Sequence, residues 1–107
     1  MSETREWPRT AVVGAGAVGG YFGGMFARAG APTVFIGRKH FADAVNSKGL
    51  VLDKSEGQER IAIEATVEMN GVRDCPLILL CVKANDTSAT ARQMAPFVRP
   101  DATVVCL

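Results

Sequence analysis

The chain has 107 residues, 48% of them apolar and 21% charged, with a formal net charge of +1. A chain of this length makes one domain and can bury a modest core without metal or disulfide staples. Its near-balanced charge excludes a broad basic surface, and with it nucleic acid or an acidic membrane as partner.

The opening, MSETREWPRT, mixes both charges and lacks the apolar run of a secretion signal. Residues 1–9 read as a flexible N-terminal segment ahead of a domain over 10–107. Thr10–Val13 then reads as a short buried strand that ends at Gly14. From Ala17 the period changes. Val18, Tyr21, Phe22, Met25, Phe26 and Ala29 fall on one apolar stripe of a helix. Arg28 and Gly30 suit its C-terminus, and Pro32 stops it. The uncharged stretch Ala11–Ala27, flanked by Arg9 and Arg28, also has GxxxG spacings. At seventeen residues it sits at the lower limit for a membrane span and is too rich in glycine for one.

Thr33–Ile36 reads as a second strand, closed by Gly37. Phe41, Ala44 and Val45 mark a short helix that stops at Lys48–Gly49. Leu50–Leu52 and Glu59–Val67 read as two strands joined by the polar turn DKSEGQ. In the second of these, Ile61, Ile63, Ala65 and Val67 alternate with wetter residues, which predicts one solvated face. Leu77–Val82 is apolar throughout, as a central parallel strand is. Asp86 or Thr87 is suited to cap a helix from Thr87 to Ala95, ahead of Pro96. After the turn Arg99–Pro100–Asp101, Thr103–Leu107 reads as a last strand. Strand–helix–strand alternation predicts an α/β fold of the Rossmann type, doubly wound around a mainly parallel sheet. The sequence stops inside an apolar strand with no helix to follow. The expectation is therefore an incomplete dinucleotide-binding domain, cut before a further domain.

GAGAVGGYFGG, Gly14 to Gly24, holds six of the eleven glycines. A lone GxGxxG is a weak signal, but this one lies between a strand and a helix, where it has a physical meaning. Gly14 permits a tight turn. Gly16, having no Cβ, lets the backbone approach a pyrophosphate, and Gly19 lets the helix lie against the sheet. The free N–H groups and the positive end of the helix then face the phosphates. Gly20 and Gly24 are assigned to close packing, without a ligand role.

Nineteen residues past Gly19, where NAD-binding relatives of this motif carry a carboxylate for the ribose hydroxyls, stands Arg38, with Lys39 beside it. A guanidinium there suits a 2′-phosphate and predicts NADP(H). The competing reading is a solvated basic turn. His40 reads as a surface residue at the start of a helix. Lys83 follows the central strand at its carboxyl end, where ligands of open α/β sheets bind, although a lysine there also marks the chain's return to water. Cys75, Cys81 and Cys106 are odd in number and lie in or beside apolar runs, which predicts buried thiols in a reducing, cytoplasmic setting. There is no CxxC spacing, and one histidine cannot complete a zinc site. No GxSxG motif or His/Asp pair supports a hydrolase, and Cys81 has no histidine partner to activate it.

With these residues in view, the sequence resembles the ketopantoate reductase (2-dehydropantoate 2-reductase) family. The matching pieces are GAGAVGGYFGGMFARAG, VFIGR, the GLVL strand with its polar hairpin, LILLCVKANDT and APFVRPDATVVCL. The glycine motif is shared by many dehydrogenases; the VKA–N–D–T segment is the more specific part. The resemblance implies NADPH-dependent reduction of ketopantoate to pantoate, a small keto acid reaction on the route to coenzyme A. It implies cofactor contacts from Gly14, Ala15, Gly16, Ala17, Val18 and Gly19 to the pyrophosphate. It further implies contacts from Arg38 and Lys83 to the phosphorylated adenosine side. Members of the family continue into a Gln-Asn-Gly loop and a helical domain that supply the asparagine, lysine and carboxylate used with substrate. None of those lies in this sequence, so no catalytic residue is assigned and this portion alone is expected to be inactive. Two alternatives stand beside this reading: the same portion of an NADP-dependent reductase of another keto or imino acid, and a nucleotide-binding module without turnover. An uncovered last strand also predicts self-association through the sheet edge near 103–107.

Overall fold

Thr10–Val13 and Thr33–Ile36 have no polar face, and both fold as strands buried along their whole length. They form the centre of the computed structural model, which describes residues 7–14, 17–54, 57–82 and 84–107. In chain order the elements are β1 (Thr10–Val13), α1 (Ala17–Arg28), β2 (Thr33–Ile36), α2 (Lys39–Lys48), β3 (Leu50–Lys54) and β4 (Gly57–Ile61). They continue with β5 (Glu64–Thr66), β6 (Leu77–Leu80), α3 (Thr87–Met94) and β7 (Thr103–Cys106). Single 3-10 turns lie at Met69–Val72, Ala84–Asp86 and Ala95–Phe97.

Five strands make one sheet in the order β5-β2-β1-β6-β7, with every neighbouring pair parallel. Parallel neighbours need crossovers, and both faces of the sheet are accordingly covered. On one face Ala11, Val13, Ile36, Ile78 and Leu80 pack with Val72, Cys75 and Met94. On the other, Val12, Phe35 and Leu79 pack with Ala42 and Val45 of α2 and with Phe26 of α1. This is the doubly wound arrangement that the sequence predicts. Because β2 and β6 flank β1 on opposite sides, the chain reverses its winding direction there, and a crevice opens at the strands' carboxyl ends.

Four expectations are corrected. Most of the apolar stripe on α1 does not face the core: Phe26 packs against the sheet, but Tyr21 is 54% and Phe22 43% exposed, whereas Gly19, Gly23 and Gly24 are buried. The helix lies on its glycine ridge because a Cβ on Gly23 would collide with the Phe35 ring, 2.5 Å from its Cζ atom. The larger side chains are thereby turned outward. Glu59–Val67 is two strands, not one. β4 pairs antiparallel with β3 in a separate two-stranded sheet, and β5 joins β2 in the main sheet. Burial still alternates across the break because Ile61 and Ala65 are both buried, each beneath a different sheet partner. In α2 the buried residues are Ala42 and Val45 rather than Ala44, and the helix opens at Lys39. Finally, Asp86 occupies the N-cap position of α3 with helical dihedrals left by the preceding 3-10 turn, and its side chain caps nothing.

Of the segment 1–9, residues 7–9 are described. Trp7 lies edge-on to Phe26 at 6.1 Å, and Arg9 is paired with Glu64 at 3.2 Å. Among the described residues no helix is long and apolar enough to cross a membrane.

Candidate functional site

The crevice is built where β1 ends. Gly14 has φ of +84°, and its N–H donates to the Ile36 carbonyl at 2.9 Å, so the chain turns sharply while still tied to β2. That positive φ suits glycine, and a Cβ there would also press on the Val82 side chain and lie 3.1 Å from the Val82 nitrogen. A Cβ on Gly19 would lie 2.7 Å from the Gly14 carbonyl oxygen. The amino-terminal end of α1 is therefore held directly against the turn, in space that only a bare backbone leaves open. With no acidic residue in its first turn, α1 offers its unbonded amides and positive dipole end to an anion.

Beside this turn is a cavity of about 390 Å³. Gly14, Gly37 and Arg38 line it from the ends of β1 and β2, and Val82 from the end of β6. Val67 and Met69, which follow β5, supply an apolar wall. Asp86, Thr90 and Gln93 on one face of α3 supply a polar one.

Arg38 precedes α2 in an extended conformation, is exposed, and its side chain makes no hydrogen bond or ion pair among the described residues. Its neighbour behaves differently. Lys39 donates to Asp43 at 2.7 Å, and that hydrogen bond raises the lysine's pKa. Lys39 is thus engaged along its own helix, which leaves Arg38 as the cation on the cavity wall among the described residues. The first turn of α2 has no acidic residue and no side-chain cap, so its free amides add to the positive potential beside Arg38. His40 is exposed on α2 and does not line the cavity.

Of the predicted cofactor residues, the structure brings Gly14, Gly19 and Arg38 to this crevice, with the backbone of Ala17 and Val18 opening α1. Ala15, Gly16 and Lys83 lie outside the described residues. The thiols differ from the expectation of three buried groups, since Cys75 is buried, Cys81 half-buried and Cys106 exposed on the outermost strand. Burial pushes the Cys75 and Cys81 thiols up in pKa, so both stay protonated and unreactive near neutrality. No cluster of metal-ligating side chains occurs among the described residues. Of the two glycines assigned to packing, Gly24 is buried, but a Cβ on Gly20 would meet open space.

Sequence reasoning missed the α3 wall. Asp86, Thr90 and Gln93 stand at i, i+4 and i+7, a spacing that was available in the sequence as one helical face directly after the central strand. Val67 and Met69 carried no such signal, because their position depends on where β5 joins the sheet.

A family model described as ketopantoate reductase PanE/ApbA matches residues 10–107. A PanE/ApbA family ketopantoate reductase from Ralstonia eutropha superposes with a TM-score of 0.87 at 38% identity, covering 90% of this chain and 32% of that one. The 2-dehydropantoate 2-reductase of Pyrococcus horikoshii is 32% identical over 82% of this chain and 29% of its own length. That of Pyrococcus abyssi is 36% identical over 71% of this chain and 25% of its own. The chain thus spans a quarter to a third of the length of the relatives it matches. With the doubly wound sheet, the glycine turn and a family match over nearly all of its length, the chain belongs to the ketopantoate reductase family.

Proposed function

We propose that this chain is the NADP(H)-binding portion of a reductase that converts a small 2-keto acid, ketopantoate, to its hydroxy acid on the route to coenzyme A. The observation that carries the reading is the pairing of two anion sites on one crevice. One is the Gly14 turn with the amino-terminal end of α1; the other is Arg38, a cation that makes no ion pair among the described residues. The turn suits the pyrophosphate of a dinucleotide, since the bare backbone at Gly14 and Gly19 lets the amino-terminal end of α1 seat directly against it. Arg38 stands where the ribose 2′-phosphate of NADP(H) would need a guanidinium, and no carboxylate stands in β2 or the Gly37–His40 segment that follows to favour the unphosphorylated ribose. Lys83, by its place in the VKA motif, is assigned to the same phosphorylated side.

The bound nicotinamide supplies the hydride. This chain's own residues bind and orient: Gly14–Gly19 hold the diphosphate, and Arg38 selects the phosphorylated sugar. Orientation and protonation of the keto acid are assigned to residues of a further, helical domain, and this portion alone is proposed to be without turnover. Fluorescence titration tests the reading. Saturable binding of NADPH well below the concentration needed for NADH is expected, and absence of binding to folded protein would overturn it.

A second association is proposed for β7. Thr103 and Leu107 donate their N–H groups to Pro76 and Leu80 at 2.8 and 3.0 Å, so the intervening Val104 and Cys106 turn their backbone groups outward. All four residues of the strand are exposed and none is charged. In the 107-residue chain such an edge is open to pairing with a second copy. Sedimentation is expected to show mass rising with concentration, and Val105→Lys is expected to reverse it. A concentration-independent monomer would exclude it.

A further inference from the structure

On the nucleotide reading, two points of the ligand are fixed at one end of the cavity: the diphosphate at Gly14 and the sugar phosphate at Arg38. The base joined to that sugar can enter the remainder of the cavity, between the apolar wall of Val67 and Met69 and the polar face of α3. A purine entering there lays its ring faces on apolar side chains and presents an edge to Gln93. We propose that Gln93 reads the base, so that the site selects adenine rather than accepting any purine.

Several observations carry this. Gln93 lines the same cavity as Arg38, and its side chain makes no hydrogen bond among the described residues. The Thr90 side chain, one turn earlier on that wall, also makes none. A side-chain amide offers one acceptor and one donor arm. The 6-amino group and N7 of adenine offer the complementary pair, and such a bidentate match discriminates strongly against a wrong base. A 6-oxo purine presents two acceptors along the same edge. Whichever way the amide turns, one of its two contacts to such a base is lost.

The inference rests on the nucleotide reading, and the experiment separates the two. Dissociation constants are measured for NADPH and for its hypoxanthine counterpart, on the native chain and on Gln93→Leu, which keeps the side chain's bulk. Circular dichroism checks that both proteins are folded. The native chain should prefer the adenine form by about tenfold or more. Gln93→Leu should weaken NADPH to the level of the hypoxanthine form and leave the latter within about twofold of its native value. Tight but equal binding of the two forms by the native chain, or an equal loss of both in the variant, overturns the role of Gln93 and leaves the cofactor reading standing. Failure of both forms to bind the native folded chain overturns the cofactor reading and the role of Gln93 together.

Discussion

The Asn46 side chain closes both outward backbone groups of Ala65: its Nδ2 donates to the Ala65 carbonyl at 2.8 Å, and the Ala65 N–H donates to its Oδ1 at 3.0 Å. Ala65 lies on β5, an outer strand of the main sheet, and the amide imitates the neighbour that the strand lacks. Asn46→Ala leaves two partly buried groups unmet and should cost about 1–3 kcal/mol of folding stability. Asn46→Asp keeps the acceptor but loses the donor and should fall between. Urea unfolding with an unchanged slope measures both; a loss within experimental error for Asn46→Ala would remove this account of the edge.

The glycines of α1 should separate by sign. Gly23→Ala places a Cβ against Phe35 and Val12 and should destabilise by about 1–3 kcal/mol. Gly20→Ala meets open space and should stabilise by up to about 1 kcal/mol, through helix propensity alone. Thermal or urea midpoints for the two variants are the measurement. Shifts in the same direction would mean that the ridge does not decide how the helix lies.

Arg38→Ala should weaken NADPH by about tenfold to a hundredfold, the value of a charge-assisted hydrogen bond, and leave NADH nearly unchanged. Added salt should narrow the native preference, because Arg38 is exposed. Equal losses for both coenzymes would take the residue out of cofactor selection.

Thiol chemistry should follow burial. In native protein a disulfide reagent should modify Cys106 first, Cys81 slowly and Cys75 only on unfolding. Burial pushes the Cys75 and Cys81 thiols above their ordinary pKa, so the folded state holds those protons more tightly than the unfolded chain. Their contribution to stability is complete below the unfolded thiol pKa and is lost as pH rises past it through the folded value. Urea midpoints should therefore fall above about pH 9, less steeply in Cys75→Ala. A flat alkaline profile would contradict this.

Much of the fold was legible because apolar runs and periods report burial directly. Thr10–Val13, Thr33–Ile36 and Leu77–Leu80 are apolar or β-branched on both faces and became the three central strands. What a period does not report is the partner. Ile61, Ile63 and Ala65 keep one alternation while the chain passes from the hairpin to the main sheet, so their sequence reads as a single strand. Nor does a stripe of large residues identify the packed face when glycines flank it. On α1 the closest approach won over the greasiest side, and Tyr21 and Phe22 were left outside. In the candidate site, Gly14, Gly19 and Arg38 were legible because each answers a local demand of turn, contact or charge. Val67 and Met69 were not, since only the assembled sheet brings the segment after β5 opposite α3.

Gly14 has one more effect. Lacking a side chain, it lets the bend after β1 come up against Val82, just after β6, so any larger residue at Gly14 would force apart the carboxyl ends of two neighbouring central strands.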